Sequence, residues 1–421
     1  MNLSKLLAAA LAATLAPVGA HAARDAQADA QAVAGDLAPT ALVSNAGKAL
    51  RDNPDQQPVS FSWAIEADTK LTPAKPFVSD SREFWTNVDA LDLAKGFRFQ
   101  TTAPGAVIRI SPTTSVGSKA AIAPGDISLA IDGRQLPATA LTRTATSAQL
   151  KAAGLDFAEG TLAFRIDPAE GSGRVALTAK LAAGDYLIHV TEPESATVAK
   201  LSAISDTAFT GGDQEARLQL FDGANALPIK RMNGILTAPD GRAFDVDFHT
   251  DGKGQALADF ALPAKASDVP GLWELHAFVA AEQNGELVMR DVKSAFAVVA
   301  PIGRLGSSMQ MHDSAQALSF DVPVKAAMGS RFEVRAVLYG TDVDGKQVPL
   351  AIGHAADWID AGNGSVKLSF DHGLLKGANA PFELRQVELY DQSRLAKQEA
   401  RWNGLPLAGQ LDKPRRGTLA D

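Results

Sequence analysis

The sequence predicts a mainly β protein of tandem β-sandwich modules, the last two immunoglobulin-like and the first larger, with one or two short helices. Three observations predict this fold class. Short segments that alternate apolar and polar residues recur along the chain, Gly- and Asp-rich turn signals separate them, and helical signals are few. The length of 421 residues corresponds to two to four domains.

Several segments show the period-two alternation of a half-buried strand. Residues 161–166 (TLAFRI) and 382–391 (FELRQVELYD) alternate cleanly. Residues 243–248 (AFDVDF) and 256–262 (ALADFAL) flank the turn-forming segment 250–254 (TDGKG). That arrangement predicts a hairpin, because Asp-Gly tolerates the positive φ that a tight turn requires.

Two short helices are predicted, both in the first module. Asp89 can cap a helix over residues 90–95, and Thr146 or Ser147 can cap a second over residues 148–153. A glycine directly follows each segment and favours its termination there.

A weak internal repeat indicates three modules. Residues 184–189 (GDYLIH), 271–276 (GLWELH) and, more loosely, 329–335 (GSRFEVR) each place a Gly before an aromatic residue and an aliphatic residue two positions later. Residues two apart on a strand share one face, so the aromatic and the aliphatic side chains are expected to point into a core.

The predicted boundaries follow from the repeat and from composition. They are a signal peptide (1–22), a disordered Ala/Asp/Gln-rich spacer (23–57), an N-terminal β-rich module (58–196), two immunoglobulin-like sandwiches (197–300 and 301–404) and a flexible tail (405–421).

The N-terminus has the organisation of a signal peptide. Lys5 precedes the apolar run 6–15, and Ala20-His21-Ala22 has the small-x-small pattern of a cleavage site. Cleavage after Ala22 and a periplasmic or secreted location are therefore predicted. No later apolar run is long enough to span a bilayer, so no transmembrane segment is expected after the signal peptide is removed.

Composition narrows the function classes. The chain has no Cys, which excludes disulfides, thiol catalysis and thiolate zinc sites. The net charge of −8 and pI near 5.5 argue against nucleic acid as a partner, since phosphate binding needs clustered Lys and Arg. There is no GxSxG, HExxH, P-loop or GxGxxG motif, so no catalytic residue and no cofactor are predicted.

Two weak metal hypotheses remain. His249, Glu274 and His276 lie in the second module, and two His with a carboxylate could bind zinc. The alternative is that Trp273 and Leu275 face inward while Glu274 and His276 lie on the solvated face of a strand.

Residues 342–345 (DVDG) are similar to the start of a calcium loop, with Asp342 and Asp344 as ligands. The Glu that ends such a loop is missing, and a hairpin turn is the simpler explanation. His354 and Asp357 form a further loose pair.

Aromatic residues are dense at the start of the first module. Stacked aromatics can form a platform for a sugar or a peptide, or they can build the core of this module. The residues concerned are Trp63, Phe77, Phe84, Trp85 and Phe97.

Residues spread over most of the mature chain, roughly 60–400, resemble an uncharacterised family of exported bacterial proteins, domain of unknown function 4785. The segments that carry the resemblance are 81–88 (SREFWTNV), 271–279, 290–296 (RDVKSAF), 383–385 and 390–394. The resemblance implies a chain of β-rich modules ending in immunoglobulin-like sandwiches, and it implies no activity and no site residue. The second module also resembles, more faintly, the sandwiches of macroglobulin-like proteins.

The leading hypothesis is an exported binding or scaffolding protein of the cell envelope or secretome, with an unknown protein or glycan partner. Two alternatives stay open. One is a hydrolase or hydrolase-accessory protein with its site in the N-terminal module, and the other is a metal-dependent adhesin.

Overall fold

Three antiparallel sandwiches make up the computed structural model, which describes residues 36–50, 55–113, 122–181, 183–252 and 254–408. Each sandwich has its own cluster of buried apolar side chains. The predicted class of tandem β-sandwich modules is confirmed. The signal peptide and residues 23–35 lie outside the described residues, as do residues 409–421. In the described part, no helix has the length and apolarity to cross a membrane.

The first sandwich follows two short strands that pair elsewhere, β1 (Val59–Ala64) and β2 (Ser79–Ser81). Its elements are β3 (Glu83–Asp89), α1 (Ala90–Lys95), β4 (Phe97–Gln100), β5 (Val107–Pro112), β6 (Ile127–Ile131), β7 (Arg134–Gln135), β8 (Leu141–Thr146), α2 (Ser147–Ala152), β9 (Leu162–Ile166), β10 (Arg174–Ala179) and β11 (Asp185–Thr191). One layer has the order β4-β10-β6-β7 and the other β3-β11-β5-β9-β8.

Both predicted helices are present. The Asp89 side chain accepts a hydrogen bond from the Asp92 N–H, and α1 ends before Gly96, whose φ is 101°. Helix α2 begins after Thr146, which forms a capping box with Gln149. Single-turn 3₁₀ helices lie at Pro124–Asp126, Ala138–Ala140, Pro168–Glu170 and His372–Leu375.

The second sandwich has ten strands of its own. They are β12 (Thr197–Ala203), β13 (Thr207–Phe209), β14 (Asp213–Asp222), β15 (Asn225–Ala226), β16 (Ile229–Thr237), β17 (Ala243–Val246), β18 (His249–Thr250), β19 (Gln255–Ala261), β20 (Trp273–Gln283) and β21 (Glu286–Val299). One layer has the order β18-β19-β14-β12-β2 and the other β17-β16-β20-β21.

The third sandwich contains β22 (Gly303–Leu305), β23 (Gln310–Asp313), β24 (Ala317–Ala326), β25 (Ser330–Thr341), β26 (Gln347–Ile359), β27 (Gly362–Asp371), β28 (Asn379–Asp391) and β29 (Ala396–Arg401). Strands β22, β23 and β27 pair with β24 in one layer. The other layer, the C-terminal sheet, has the order β1-β26-β25-β28-β29.

The internal repeat marks core strands, as expected. Its aromatic and aliphatic positions are at most 2% exposed in all three copies: Tyr186 and Ile188, Trp273 and Leu275, Phe332 and Val334. These pairs lie on β11, β20 and β25, one strand in each sandwich.

The hairpin predicted over residues 243–262 is wrong in part. Strand β19 does turn back from β18, but β17 pairs with β16 in the opposite layer. The chain crosses between the two layers at residues 247–248, where Phe248 packs into the core with 9% exposure. Alternation predicted the strands but could not show this crossing.

The first two sandwiches share one 10-stranded sheet. The ladder pair Asp291↔Glu83 joins β21 to β3, so the two layers run into each other. Behind this joint, Arg290 and Glu192 form a fully buried ion pair with Nη2 and Oε2 2.7 Å apart. The joint between the two sandwiches therefore combines strand pairing with a buried ion pair.

The prediction of a disordered spacer is wrong for residues 36–50 and 55–57. These residues pack along the third sandwich: Leu37 forms a bridge with Ala400, and Val43 donates its N–H to the Pro301 carbonyl at 2.8 Å. Arg331 Nη1 donates to the Gln57 carbonyl at 2.9 Å. The segment gains order from a distant module, which its own composition does not reveal.

The predicted first module also begins too early. Strand β1 pairs with β26 of the third sandwich, from Val59↔Ala356 to Ala64↔Ala351. Strand β2 pairs with β12 of the second sandwich. The segment before Glu83 thus pairs first with the third sandwich and then with the second. In both cases it adds a strand to a sheet edge that would otherwise be unpaired.

Candidate ligand-binding face

Strand β1 places two aromatic rings side by side on the outer face of the C-terminal sheet. Phe61 and Trp63 are two residues apart and so share one face of the strand. Their ring centroids lie 6.0 Å apart, and the ring planes differ by only 16°. The two side chains remain 56% and 43% exposed. We call this pair the aromatic platform.

His354 lies beside the aromatic platform. Its ring centroid is 5.7 Å from that of Phe61 and 5.0 Å from that of Trp63. Its Nδ1 lies 3.0 Å from Oε1 of Glu333, and the same oxygen accepts a hydrogen bond from Arg335 Nε at 2.8 Å. The other carboxylate oxygen of Glu333, Oε2, accepts one from Gln392 Nε2 at 2.9 Å. One buried carboxylate therefore fixes the orientation of three polar side chains next to the platform.

The electrostatics of Glu333 reflect this position. Burial raises the pKa of its carboxyl, but hydrogen bonds from Arg335 and Gln392 and the charges of Arg335 and His354 outweigh burial. The net result is a pKa below the ordinary value of 4.5. Glu333 is thus an anion at neutral pH and holds Arg335 in place.

A cleft of about 510 Å³ lies on the same sheet and is lined in part by His354, which contacts the platform. Its floor consists of outward-facing side chains of the C-terminal sheet: Arg335, Val337, Ile352, His354, Gln386 and Glu388. Its walls come from three other parts of the chain: residues 36–37, the Pro-containing segment 72–76 and residues 204–206 of the second sandwich. Trp402 adds a further aromatic side chain.

Several of the charges in the cleft are held in ion pairs. Lys397 Nζ lies 3.5 Å from Glu388 Oε1 and 3.6 Å from Asp206 Oδ2. Arg401 Nε lies 2.7 Å from Oε1 of the buried Glu399. The cleft thus presents many fixed hydrogen-bonding groups, and its acidic and basic side chains (with Asp36 and Lys75 outside these ion pairs) are both numerous, a combination suited to a polar ligand without a strong net charge.

The zinc candidates are not brought together. His249 is exposed on β18, in the layer opposite to β20, which carries Glu274 and His276. Glu274 forms an ion pair with Lys293 at 2.8 Å, and His276 Nε2 lies 2.6 Å from Oδ1 of Asp291. As the alternative expected, Trp273 and Leu275 are buried. The zinc hypothesis is not supported by this arrangement.

The calcium candidate is a hairpin turn. Oδ1 of Asp342 accepts hydrogen bonds from the N–H groups of Asp344 and Lys346, at 3.0 and 2.8 Å. Gly345 has a φ of 78° and closes the turn between β25 and β26. Within the described residues, no group of three or more His, Cys, Asp or Glu side chains has the arrangement of a metal site.

The five aromatic residues predicted at the start of the first module lie in different environments. Phe84 is buried and Phe97 packs against the same core, whereas Phe77 is 72% exposed. Trp85 stacks on His276 with centroids 4.6 Å apart, on the outer face of the shared sheet. Only Trp63 belongs to the platform, and it lies on the third sandwich.

Sequence reasoning did not identify Phe61. The available signal was the strand sequence VSFSWA, in which two aromatic residues alternate with serines. It also paired His354 with Asp357, whereas His354 contacts Glu333 and the Asp357 carboxylate accepts the Trp358 N–H at 2.8 Å.

Two family models match the sequence. The N-terminal domain of the domain of unknown function DUF4785 matches residues 51–192, and its C-terminal domain matches residues 303–407. A crystal structure of a DUF4785 family protein from Legionella pneumophila covers 88% of this chain and 98% of its own, with 21% identity and a TM-score of 0.67. At that identity the likeness shows the fold alone.

Bacterial alpha-2-macroglobulins are more distant. The structure from Escherichia coli has 14% identity and a TM-score of 0.20, over 72% of this chain and 22% of its own. A Salmonella mutant has 15% identity and a TM-score of 0.29, over 79% of this chain and 21% of its own. These scores are too low to support a functional argument. A search of curated proteins gives no match.

Proposed function

We propose that this chain, which belongs to the DUF4785 family of domains of unknown function, is an exported binding protein whose ligand lies on the outer face of its C-terminal sheet. The observation that carries the proposal is the aromatic platform of Phe61 and Trp63 beside the 510 Å³ cleft, with His354 contacting both rings and lining the cleft. Exposed aromatic rings beside a pocket with convergent polar groups are typical of ligand sites.

The construction of this face supports binding. The floor belongs to paired strands, and Glu333 holds Arg335 and His354 before any ligand arrives. Side chains that are already ordered lose little rotamer entropy on binding, which favours affinity. The walls come from three distant parts of the chain, so the shape of the cleft depends on the whole protein.

Trp63→Ala tests the proposal. The wild-type chain and the variant are screened against a panel of bacterial envelope glycans and a panel of peptides. We expect wild-type binding that weakens by about tenfold or more in the variant, because an aromatic anchor has been removed. Leu91→Ala is the matched control, since Leu91 is 72% exposed on α1, outside the platform and the cleft floor.

Either of two outcomes would contradict the proposal. The first is that the wild-type chain binds nothing in either panel. The second is that its binding is unchanged by both Trp63→Ala and Phe61→Ala. Unchanged far-ultraviolet circular dichroism of the variants would show that the sheet is intact.

Export is part of the same proposal. It is supported by Lys5, the apolar run 6–15 and the small-x-small site that ends at Ala22. We expect the protein in the periplasmic fraction or the medium, with an N-terminus at Ala23 by mass spectrometry. A full-length protein that begins at Met1 and stays in the cytoplasm would contradict export.

A further inference from the structure

We infer that the ligand of this face is a neutral, extended oligosaccharide that lies across the strands, from the aromatic platform towards the second sandwich. The inference rests on the proposed function and adds the chemical class, the length and the direction of the ligand.

The register aligns the relevant side chains in one row. Phe61 lies opposite His354, His354 opposite Arg335, and Arg335 opposite Glu388 on four successive strands. Residues directly opposite in a ladder point to the same face, and neighbouring strands are about 4.8 Å apart. The row therefore spans about 14 Å, which is long enough for several linked sugar rings and too long for one.

The platform suits the flat face of a sugar ring. Pyranose rings expose C–H groups on their faces, and these pack on the negative face of an aromatic ring. The near-parallel rings of Phe61 and Trp63 are stacked 6.0 Å apart and stay largely exposed, so ring surface remains available to a sugar.

The rest of the row suits hydroxyl groups. Arg335 is held by Glu333 and lies with its guanidinium carbon 4.2 Å from the centroid of Tyr390. Glu388 accepts a hydrogen bond from the Tyr390 hydroxyl at 3.1 Å. The Arg335 guanidinium and the Glu388 carboxylate are planar and held in place, and neighbouring side chains balance their charges. They can therefore form hydrogen bonds with neighbouring hydroxyl groups without favouring a charged ligand.

Two features argue against a peptide as the ligand. A peptide that extends the sheet needs a free edge, yet the outer side of β1 meets β27, where Ser60 Oγ accepts the Ser369 N–H at 3.0 Å. A peptide in the cleft would need partners for its own buried charges or apolar side chains. The balanced charges of the cleft and the stacked, exposed rings of the platform offer neither.

The second sandwich marks the far end of the row. Lys397 joins Glu388 to Asp206, which belongs to the wall segment 204–206. A chain that starts on the platform therefore reaches the second sandwich after crossing β28. Affinity should rise with chain length and stop rising once this end is reached.

The experiment uses the full mature protein and two series of neutral β-1,4-linked oligosaccharides. These are cello-oligosaccharides and chito-oligosaccharides, from the monosaccharide to the hexasaccharide. Isothermal titration calorimetry measures Kd for each length with the wild-type chain, Trp63→Ala and Glu388→Gln. Leu91→Ala serves as the control variant.

We expect at least one series in which affinity increases with length and then reaches a plateau. Trp63→Ala should weaken the binding of every length by about tenfold, since all lengths use the platform. Glu388→Gln should weaken the hexasaccharide but leave the disaccharide unchanged, because only the longer chain reaches β28.

Failure of the inference can be distinguished from failure of the proposed function. Trp63-dependent binding of a peptide, or of a single sugar with no gain on lengthening, overturns the inference and leaves the binding face in place. Equal effects of Glu388→Gln on the binding of short and long oligosaccharides would contradict the proposed direction of the ligand across the strands. Glycan binding that is weakened by neither Trp63→Ala nor Phe61→Ala overturns both the inference and the proposed function.

Discussion

Arg290→Ala is expected to lower the free energy of unfolding of the first two sandwiches by about 3–5 kcal/mol. The guanidinium is fully buried, with Nη2 2.7 Å from Glu192 Oε2. It also donates to the hydroxyls of Thr102 and Ser195, both at 3.0 Å. Removing it leaves the Glu192 carboxylate buried without a counter-charge, which is far less favourable than leaving an exposed charge.

Chemical denaturation followed by circular dichroism measures the effect. Arg174→Ala is the matched control, since it also breaks an Arg–Glu pair but its partners are 57% and 42% exposed. The control should lose less than about 1 kcal/mol. The double variant Arg290→Met, Glu192→Leu should recover much of the loss, because no charge is then buried alone. Equal losses for Arg290→Ala and Arg174→Ala would contradict the prediction.

Trp273→Ala is expected to destabilise the second sandwich by about 3–5 kcal/mol. The indole is 1% exposed and lies in the core, with its ring centroid 5.9 Å from that of Phe244. Its loss leaves a large cavity between two paired layers, and the surrounding strands cannot collapse to fill it.

Trp85→Ala provides the comparison within the same continuous sheet. Trp85 lies on the outer face, where it stacks on His276 and where Lys293 Nζ is 5.3 Å from its ring centroid. We expect a loss of only about 1 kcal/mol, close to that of one aromatic stacking contact. Thermal and denaturant unfolding of both variants test the difference. Equal destabilisation by the two variants would contradict the placement of Trp273 in the core and of Trp85 on the outer face.

The sequence predicts local features well, because local patterns are set by neighbouring residues. Burial on one face produces the alternation of β9, and the capping side chain of Asp89 together with Gly96 defines α1. The Gly-aromatic repeat identified a core strand in each sandwich for the same reason.

Pairing between distant strands could not be predicted in this way. Strand β1 meets β26 almost 300 residues later, and alternation contains no information about a partner. Trp63 was recognised as either platform or core, but without β26 its neighbour His354 was unknown. The candidate face therefore appears only when both ends of the chain are considered together.

The placement of β1 also ties ligand affinity to chain integrity. Within one chain, residues 65–78 keep the strand at an effective concentration near its site that a short linker sets in the millimolar range. A single protease cut in that segment would turn the strand and its platform into a separate peptide, held by noncovalent contacts that include the ladder with β26 and the packing of residues 36–50 and 55–57. Ligand binding would then depend on protein concentration, although no contact residue had changed.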